Sequence, residues 1–265
     1  MVTIDEIKKA DQLEHERLLE LAKDFPYPGY VLRKISPYFA KFFVEHDVSA
    51  NYTSFLSILF GIIASVTFVF GSYYSILLGC FFYQFWNIFD LVDGEIARVT
   101  NVKTAGGKYL ETINDGISEC AFVACLGVAL SRILGNDIFV LFGLVFALFI
   151  GLLNYFARAR DMIIGRFELE NMKINPAKAS YFRRFYKKAR LFFVIYNGYP
   201  LLTIFVISEL VLPCTVNLSI LGEEFIRVFG ENLSLTAIYF LLYGSVWTIR
   251  ALVSSITNYR HLMRS

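Results

Sequence analysis

Residues 51–89 read NYTSFLSILFGIIASVTFVFGSYYSILLGCFFYQFWNIF, a run of 39 residues without a charged side chain. About 20 apolar residues are enough for one helix to cross the hydrocarbon core of a bilayer. Gly71 and Ser72 lie near the middle of the run, and such a pair is typical of a tight turn. The run therefore predicts two membrane-spanning helices joined by a short turn.

The chain as a whole has the composition of a membrane protein. Of its 265 residues, 56% are hydrophobic and 18% are charged, with a formal net charge of +2. Soluble domains have about 45–50% apolar and about 25% charged residues. The composition excludes a disordered chain, a nucleic-acid-binding arm and an ordinary soluble domain, so no nucleic-acid partner is expected.

Six apolar segments are long enough to cross a membrane, and they predict an all-α bundle over residues 49–265. A separate N-terminal unit, residues 1–48, precedes them. It comprises an amphipathic helix over 3–24 and a helix over 30–46, kinked at Pro37, that lies either in the headgroup plane or against the cytoplasmic ends of the bundle. The predicted spans are residues 52–72, 75–98, 108–132, 138–158, 190–212 and 235–257.

The distribution of basic residues predicts the orientation of the bundle. Residues 158–190 contain ten Lys or Arg and three Asp or Glu, a net charge of +7, whereas residues 209–231 have a net charge of −3. Because loops rich in Lys and Arg stay in the cytoplasm, the first segment is expected inside and the second outside. With six spans, both termini of this integral cell-membrane protein are expected in the cytoplasm.

Acidic residues occur inside the second and third predicted spans. A charge near the bilayer centre costs at least about 2.5–3.5 kcal/mol, so such residues are candidates for function. A solvated position in the interface would explain Glu95 and Arg98, but it explains poorly an acid that follows 39 uncharged residues. The acids at issue are Asp90, Asp93, Glu95, Glu111, Asp115 and Glu119.

The spacing of four of these acids suggests a metal site. Asp90 and Asp93 are three residues apart, and Glu111 and Asp115 are four apart, so each pair shares a helix face. The two helices are consecutive and antiparallel, joined by residues 99–106, so both pairs are expected at similar depth near the cytoplasm. Four converging carboxylates repel one another unless a cation neutralises them, and oxygen ligands suit Mg²⁺ or Mn²⁺. A metal held in this way suits a diphosphate substrate.

Residues 90–115 resemble the signature of the CDP-alcohol phosphotransferases, DxxDGxxARx8GxxxDxxxD. The sequence runs Asp90-x-x-Asp93-Gly94-x-x-Ala97-Arg98, then eight residues, then Gly107-x-x-x-Glu111-x-x-x-Asp115. It departs from the signature only at Glu111, where the family has an aspartate. The segment Ala50-Asn51-Tyr52-Thr53-Ser54 is a looser match to the family's Pro-Asn-x-x-Thr.

The resemblance implies a function and a set of site residues. A CDP-alcohol donor would transfer its phosphoalcohol group to the hydroxyl of an acceptor, and CMP would leave. The acceptor molecule would in some cases carry a phosphate group of its own. Asp115 would be the general base. The site would hold two divalent ions, and whether the second one binds depends on Glu111 acting as a ligand in place of the family's aspartate. Family members are often homodimers, so a homodimer is a possible assembly. The implied metal ligands are Asp90, Asp93, Glu111 and Asp115, and the implied CDP-binding residues are Asp90, Gly94, Ala97, Arg98 and Gly107.

Basic residues near the predicted site are open to two interpretations. Arg250 lies within the last span, about 12 Å from its cytoplasmic end, where it either neutralises an acid or binds a substrate phosphate. Arg158, Arg160 and Arg190 either line a pocket for a phosphorylated acceptor or anchor the cytoplasmic side of the bundle.

Three other functions compete with this one. An intramembrane polyprenyl-diphosphate transferase also uses DxxD motifs but needs a second acidic motif far along the chain, and Glu209 is expected on the outer side. A cation transporter would show internal repeats and acids spread along an ion path. A catalytically altered family member is suggested by Glu111 alone.

Overall fold

The computed structural model describes residues 3–7, 31–102, 104–168, 199–211, 215–217 and 232–262. A 3₁₀ helix at Leu32–Lys34 precedes the α-helices, and two three-residue strands pair antiparallel between the last two of them. The helices are α1 (Ser36–Glu45), α2 (Ala50–Phe68), α3 (Tyr73–Val99), α4 (Ala105–Leu134), α5 (Ile138–Glu168), α6 (Tyr199–Val211) and α7 (Leu235–Leu262), and the strands are β1 (Thr215–Asn217) and β2 (Asn232–Ser234).

The structure confirms an all-α membrane bundle but not six spans. Within the described residues, five helical segments are long and apolar enough to cross a membrane: α2, α3, α4, Ile138–Phe156 of α5 and Leu235–Val253 of α7. The predicted span 190–212 is described only as α6, whose 13 residues rise about 20 Å. That rise is shorter than the hydrocarbon core of about 30 Å, and residues 190–198 lie outside the described part.

The turn predicted at Gly71 and Ser72 is confirmed. Gly71 has a φ of +67°, which favours glycine because the residue lacks a Cβ. Ser72 and Ser75 then form a reciprocal capping box at the start of α3: each hydroxyl accepts from the other's backbone N–H, at 3.1 and 3.0 Å.

The N-terminal unit contacts the bundle through its first described residues. The predicted capping box is present, since Thr3 N donates to Glu6 Oε2 at 2.7 Å and Glu6 N donates to Thr3 Oγ1 at 3.2 Å. The bond from the Thr3 backbone is the main cause that lowers the pKa of Glu6 below its usual value. Ile7 is buried in a cluster that includes Val92 and Ile96 of α3. Residues 8–24 of the predicted helix lie outside the described residues.

The predicted helix over 30–46 is divided just before Pro37, into the 3₁₀ helix Leu32–Lys34 and α1, so the proline starts a new helix instead of kinking a continuous one. Pro37 lies in the first turn of α1, where its missing N–H would have had no helical partner in any case. Ala40 of α1 is buried against α3, whereas a stripe of apolar side chains on another face of this segment is exposed. This stripe favours a position in the headgroup plane, which stays a prediction; it consists of Val31, Ile35, Tyr38 and Phe42.

The packing of the bundle places α2 against both α3 and α4, while α3 and α4 make little direct contact with each other. Helix α4 packs mainly on α5, and α5 packs on α7. At the α4–α5 contact, a Cβ on Gly127 would lie 2.5 Å from the backbone oxygen of Phe139 and 2.9 Å from Gly143 Cα. Small residues therefore allow these two backbones to approach closely, as is usual for membrane helices.

We predict that Gly127→Ala lowers the free energy of unfolding by about 1–3 kcal/mol, because the added methyl must push two backbones apart. The melting temperature of the detergent-solubilised protein measures the change. Gly116→Ala is the matched control in the same helix, since a Cβ there meets nothing within 4 Å. Equal melting temperatures for the two variants would show that the α4–α5 contact is not tight.

Candidate active site

The acids of the signature lie at the end of α3 and the start of α4. Thr104 caps α4, with its hydroxyl accepting from Gly107 N at 2.9 Å. The Asp90 carboxylate interacts electrostatically with Asp93, Glu111 and Asp115. The structure therefore brings the four predicted acids of the two helices into one neighbourhood.

Asp90 is held by a residue that the sequence analysis missed. Asn114 Nδ2 donates to Asp90 Oδ1 at 3.0 Å, and Asn114 itself is fully buried. An uncharged amide carries no charge that would mark it within a membrane span. Its position directly before Asp115, inside an apolar helix, is the one signal that the sequence offered.

Asp93 has a hydroxyl partner and a basic neighbour. Ser54 of α2 donates to Asp93 Oδ2 at 2.5 Å, and Arg98 interacts with Asp93 electrostatically. A Cβ on Gly94 would lie 3.1 Å from Arg98 Nη1, so the glycine leaves room for the guanidinium to lie over its backbone. Ala97, in the same turn, is half-buried.

Glu111 and Asp115 each face a basic side chain. Lys108 Nζ lies 2.7 Å from Glu111 Oε2, and Arg158 Nη2 of α5 lies 3.9 Å from Asp115 Oδ2. The Asp115 side chain is 48% exposed, so solvent or a substrate can reach it. One turn further along α4, Asn154 of α5 donates to Glu119 at 3.4 Å.

Gly107 lies against the start of α2. A Cβ on Gly107 would approach Asn51 Oδ1 to 2.9 Å, and the Thr104 hydroxyl donates to the same oxygen at 3.3 Å. The segment that loosely matches Pro-Asn-x-x-Thr thus reaches the site at two points, through Asn51 and through Ser54.

Glu95 is not solvated, contrary to the interfacial position considered for it. Its side chain is fully buried, and Ser36 of α1 donates to Glu95 Oε1 at 2.5 Å. Because Glu95 lies two residues after Asp93, this bond ties the N-terminal unit to the turn of α3 that carries the signature.

The remaining basic candidates are not placed. Arg250 belongs to α7, but its side chain lies outside the described residues, as do the side chains of Arg160 and Arg190. Both interpretations of Arg250 therefore stay predictions.

The donor set fits a hard divalent cation in chemistry but does not form a closed ligand shell as it stands. Within the described part of the chain, no three His, Cys, Asp or Glu side chains converge closely enough to hold a metal ion. Glu111 is paired with Lys108 on the exposed side of α4. The available donors are carboxylate oxygens, which Mg²⁺ and Mn²⁺ prefer over nitrogen or sulfur.

Comparisons with known proteins agree with the resemblance of the signature. The family model for CDP-alcohol phosphatidyltransferase matches residues 47–221, more than half of the chain. The "Bifunctional IPC transferase and DIPP synthase" of Archaeoglobus fulgidus is 30% identical over 146 residues, which are 54% of this chain and 29% of that protein. The chain therefore spans less than a third of this relative's length. The family uses a CDP-alcohol donor and an alcohol acceptor and is generally dependent on divalent metal. This integral membrane protein belongs to the CDP-alcohol phosphatidyltransferase family.

Proposed function

We propose that this protein transfers the phosphoalcohol group of a CDP-alcohol, such as a phosphatidyl group, to an acceptor hydroxyl and releases CMP. The observation that carries the proposal is that Asp90 lies within electrostatic range of Asp93, Glu111 and Asp115 at the adjoining ends of α3 and α4. These acids occupy the four acidic positions of the family signature, with Glu111 in place of an aspartate, and the family match covers them.

Asp90 and Asp93 are the acids best fixed in place to serve as metal ligands. Asn114 restrains Asp90 and Ser54 restrains Asp93, so neither carboxylate must be ordered when a ligand binds. Glu111 completes the set once its carboxylate leaves Lys108, and Asp115 supplies a further oxygen. Bound Mg²⁺ or Mn²⁺ would offset the charge of the diphosphate and of the departing CMP.

Asp115 is the proposed general base. Its half-exposed carboxylate is accessible to an acceptor, and Arg158 offsets part of its negative charge. The carboxylate takes the proton of the acceptor hydroxyl, since an alcohol is a weak nucleophile at neutral pH. The acceptor oxygen then bonds to the β-phosphorus, the bond from that phosphorus to the bridging oxygen breaks, and CMP leaves with the electron pair.

The donor and the acceptor are proposed to bind on different sides of the acids. Gly94, Ala97, Arg98 and Gly107 lie along the α3–α4 ends and are the proposed contacts of the nucleotide, with the Arg98 guanidinium over Gly94 and Asn51 against Gly107. Arg158 approaches Asp115 from α5 and suits a phosphorylated acceptor. The similarity to a protein named as an IPC transferase, which covers 29% of that protein, supports a transferase reaction.

The proposed location of the site is the cytoplasmic side of the membrane. The α3–α4 connection and the strongly basic segment 158–190 lie on the same side of the bundle if each intervening helix crosses the bilayer. The net charge of +7 in that segment supports a cytoplasmic position. Both termini would then be cytoplasmic as well.

The alternatives have less support. Glu209, a candidate for a second acidic motif, instead accepts from Thr236 N at 2.9 Å and from its hydroxyl at 2.5 Å, which caps the start of α7. Glu209 therefore does not support the hypothesis of a polyprenyl-diphosphate transferase. The pairing of Glu111 with Lys108 is the one observation that favours a catalytically altered family member.

We predict that Asp115→Asn reduces CMP release by about 100-fold or more, since general-base catalysis typically contributes about 10²–10⁴ in rate. The assay uses purified protein, Mg²⁺ and CDP-diacylglycerol, with glycerol phosphate, inositol phosphate and serine offered as acceptors. Glu119→Gln, one turn away on the same helix, is the matched control and should retain most activity. Turnover by Asp115→Asn close to that of the wild type would contradict the assignment of the base.

We predict that Glu111→Asp keeps or raises the rate of CMP release and changes the ratio of rates with Mg²⁺ and Mn²⁺. The shorter acid draws the carboxylate back by about 1.5 Å, away from Lys108 and toward the family's usual geometry. Lys108→Gln should act in the same direction, because it frees Glu111 without altering its length. An inactive Glu111→Asp variant would show that the site is built around the longer acid.

A further inference from the structure

We propose that Asn114 is a positioning residue that orients the Asp90 carboxylate for cation binding. The inference rests on the proposed function, because it takes Asp90 to be a metal ligand. It concerns a residue at a position that the family signature leaves variable, and neither hydropathy nor charge singles this amide out.

Asn114 is the centre of a buried polar network that joins α2, α3 and α4. Its Oδ1 atom accepts from Trp86 Nε1 at 2.7 Å and from Ser118 Oγ at 3.1 Å. Its Nδ2 atom donates to Ser57 Oγ at 3.0 Å and to Asp90 Oδ1 at 3.0 Å. A primary amide can accept two hydrogen bonds and donate two, so this network uses the full capacity of the side chain.

Trp86 fixes which way the amide faces. An indole N–H can only donate, so the atom of Asn114 that faces Trp86 must be the oxygen. The nitrogen is then directed to Asp90, which lies one helical turn after Trp86 on the same face of α3. Asn114 thus contacts two residues one turn apart on α3. The hydrogen bond from Trp86 fixes the amide oxygen, and the amide nitrogen is therefore the atom that faces Asp90.

The consequence is a carboxylate held in a single orientation with oxygen lone pairs left for a cation. The bond from Asn114 occupies one acceptor position on Oδ1 of Asp90. Hydrogen bonds of this kind orient metal ligands, and removing the partner typically costs about 10–100-fold in metal affinity. An amide orients the Asp90 carboxylate without adding charge beside the acids. A carboxylate at position 114 would instead place an oxygen, which cannot donate a hydrogen bond when ionised, against the oxygen of Asp90.

A variant at Ser57 distinguishes the orientation of Asp90 by Asn114 from a general stabilisation of the bundle. Its hydroxyl accepts from the same nitrogen of Asn114 and donates to the backbone oxygen of Trp86 at 3.0 Å. Ser57→Ala therefore removes two hydrogen bonds of the network and leaves the bond to Asp90 in place. It should lower the melting temperature without changing cation affinity.

The test measures Mn²⁺ binding to the purified full chain by electron paramagnetic resonance, together with melting temperatures without metal. We expect Asn114→Asp to raise the Mn²⁺ dissociation constant about 10–100-fold, and Ser57→Ala to leave it within about twofold. Trp86→Phe keeps the aromatic shape but frees the amide to turn, so it should weaken binding in the same direction. It provides the second measurement if Asn114→Asp does not fold.

The exchange variant Asp90→Asn with Asn114→Asp separates folding from positioning. It restores a donor and an acceptor between the two positions, so the melting temperature should recover relative to Asn114→Asp while Mn²⁺ affinity does not. Unchanged affinity in both Asn114→Asp and Trp86→Phe, with a wild type that binds Mn²⁺, overturns this inference alone. A wild type that binds no Mn²⁺ overturns the proposed metal site together with it.

Discussion

The mutual repulsion of carboxylates gathered at the ends of two membrane helices is the constraint on which the rest of this structure depends. Like charges interact several times more strongly in a partly desolvated site than in water. Each of the four acids has at least one side-chain partner, and these partners differ in charge. Neutral side chains donate hydrogen bonds to the α3 acids, with Arg98 also near Asp93, and cations face the α4 acids. The pairs are Asn114 with Asp90, Ser54 with Asp93, Lys108 with Glu111 and Arg158 with Asp115. The α4 acids lie where solvent reaches them.

The fold explains where these partners come from. Helix α2 packs against both acid-bearing helices, which make little direct contact with each other. Its buried small polar residues, among them Ser54 and Ser57, replace apolar contacts with hydrogen bonds to the site. Helix α5 approaches α4 closely at Gly127 and Gly143 and brings Arg158 to Asp115. Helix α1 reaches the other side of α3 through Ser36 and Glu95, so the signature turn is held from both faces.

The sequence predicts well what charge and hydropathy determine. The uncharged run over residues 51–89 and the turn at Gly71 follow from these two properties and are present in the structure. Charge also marks the acids inside α3 and α4, whereas their assignment as a site comes from the resemblance to the family signature and stays a prediction. The sequence does not predict contacts between uncharged polar groups, because Asn114 and Ser54 have no periodicity or charge that marks them. The burial of Glu95 and the position of Pro37 at a helix start depend on how α1 packs against α3. The β1–β2 pairing joins segments that are separated by 14 residues along the chain, and no local sequence pattern predicts it.

Anomalous diffraction from crystals of the purified protein with Mn²⁺ and CDP tests the central claim most directly. We expect anomalous peaks between the ends of α3 and α4, within coordination distance of Asp90 and Asp93 and with Glu111 turned away from Lys108. Peaks confined to other parts of the molecule, with the four carboxylates still engaged only by their side-chain partners, would contradict a metal-assisted reaction at this site.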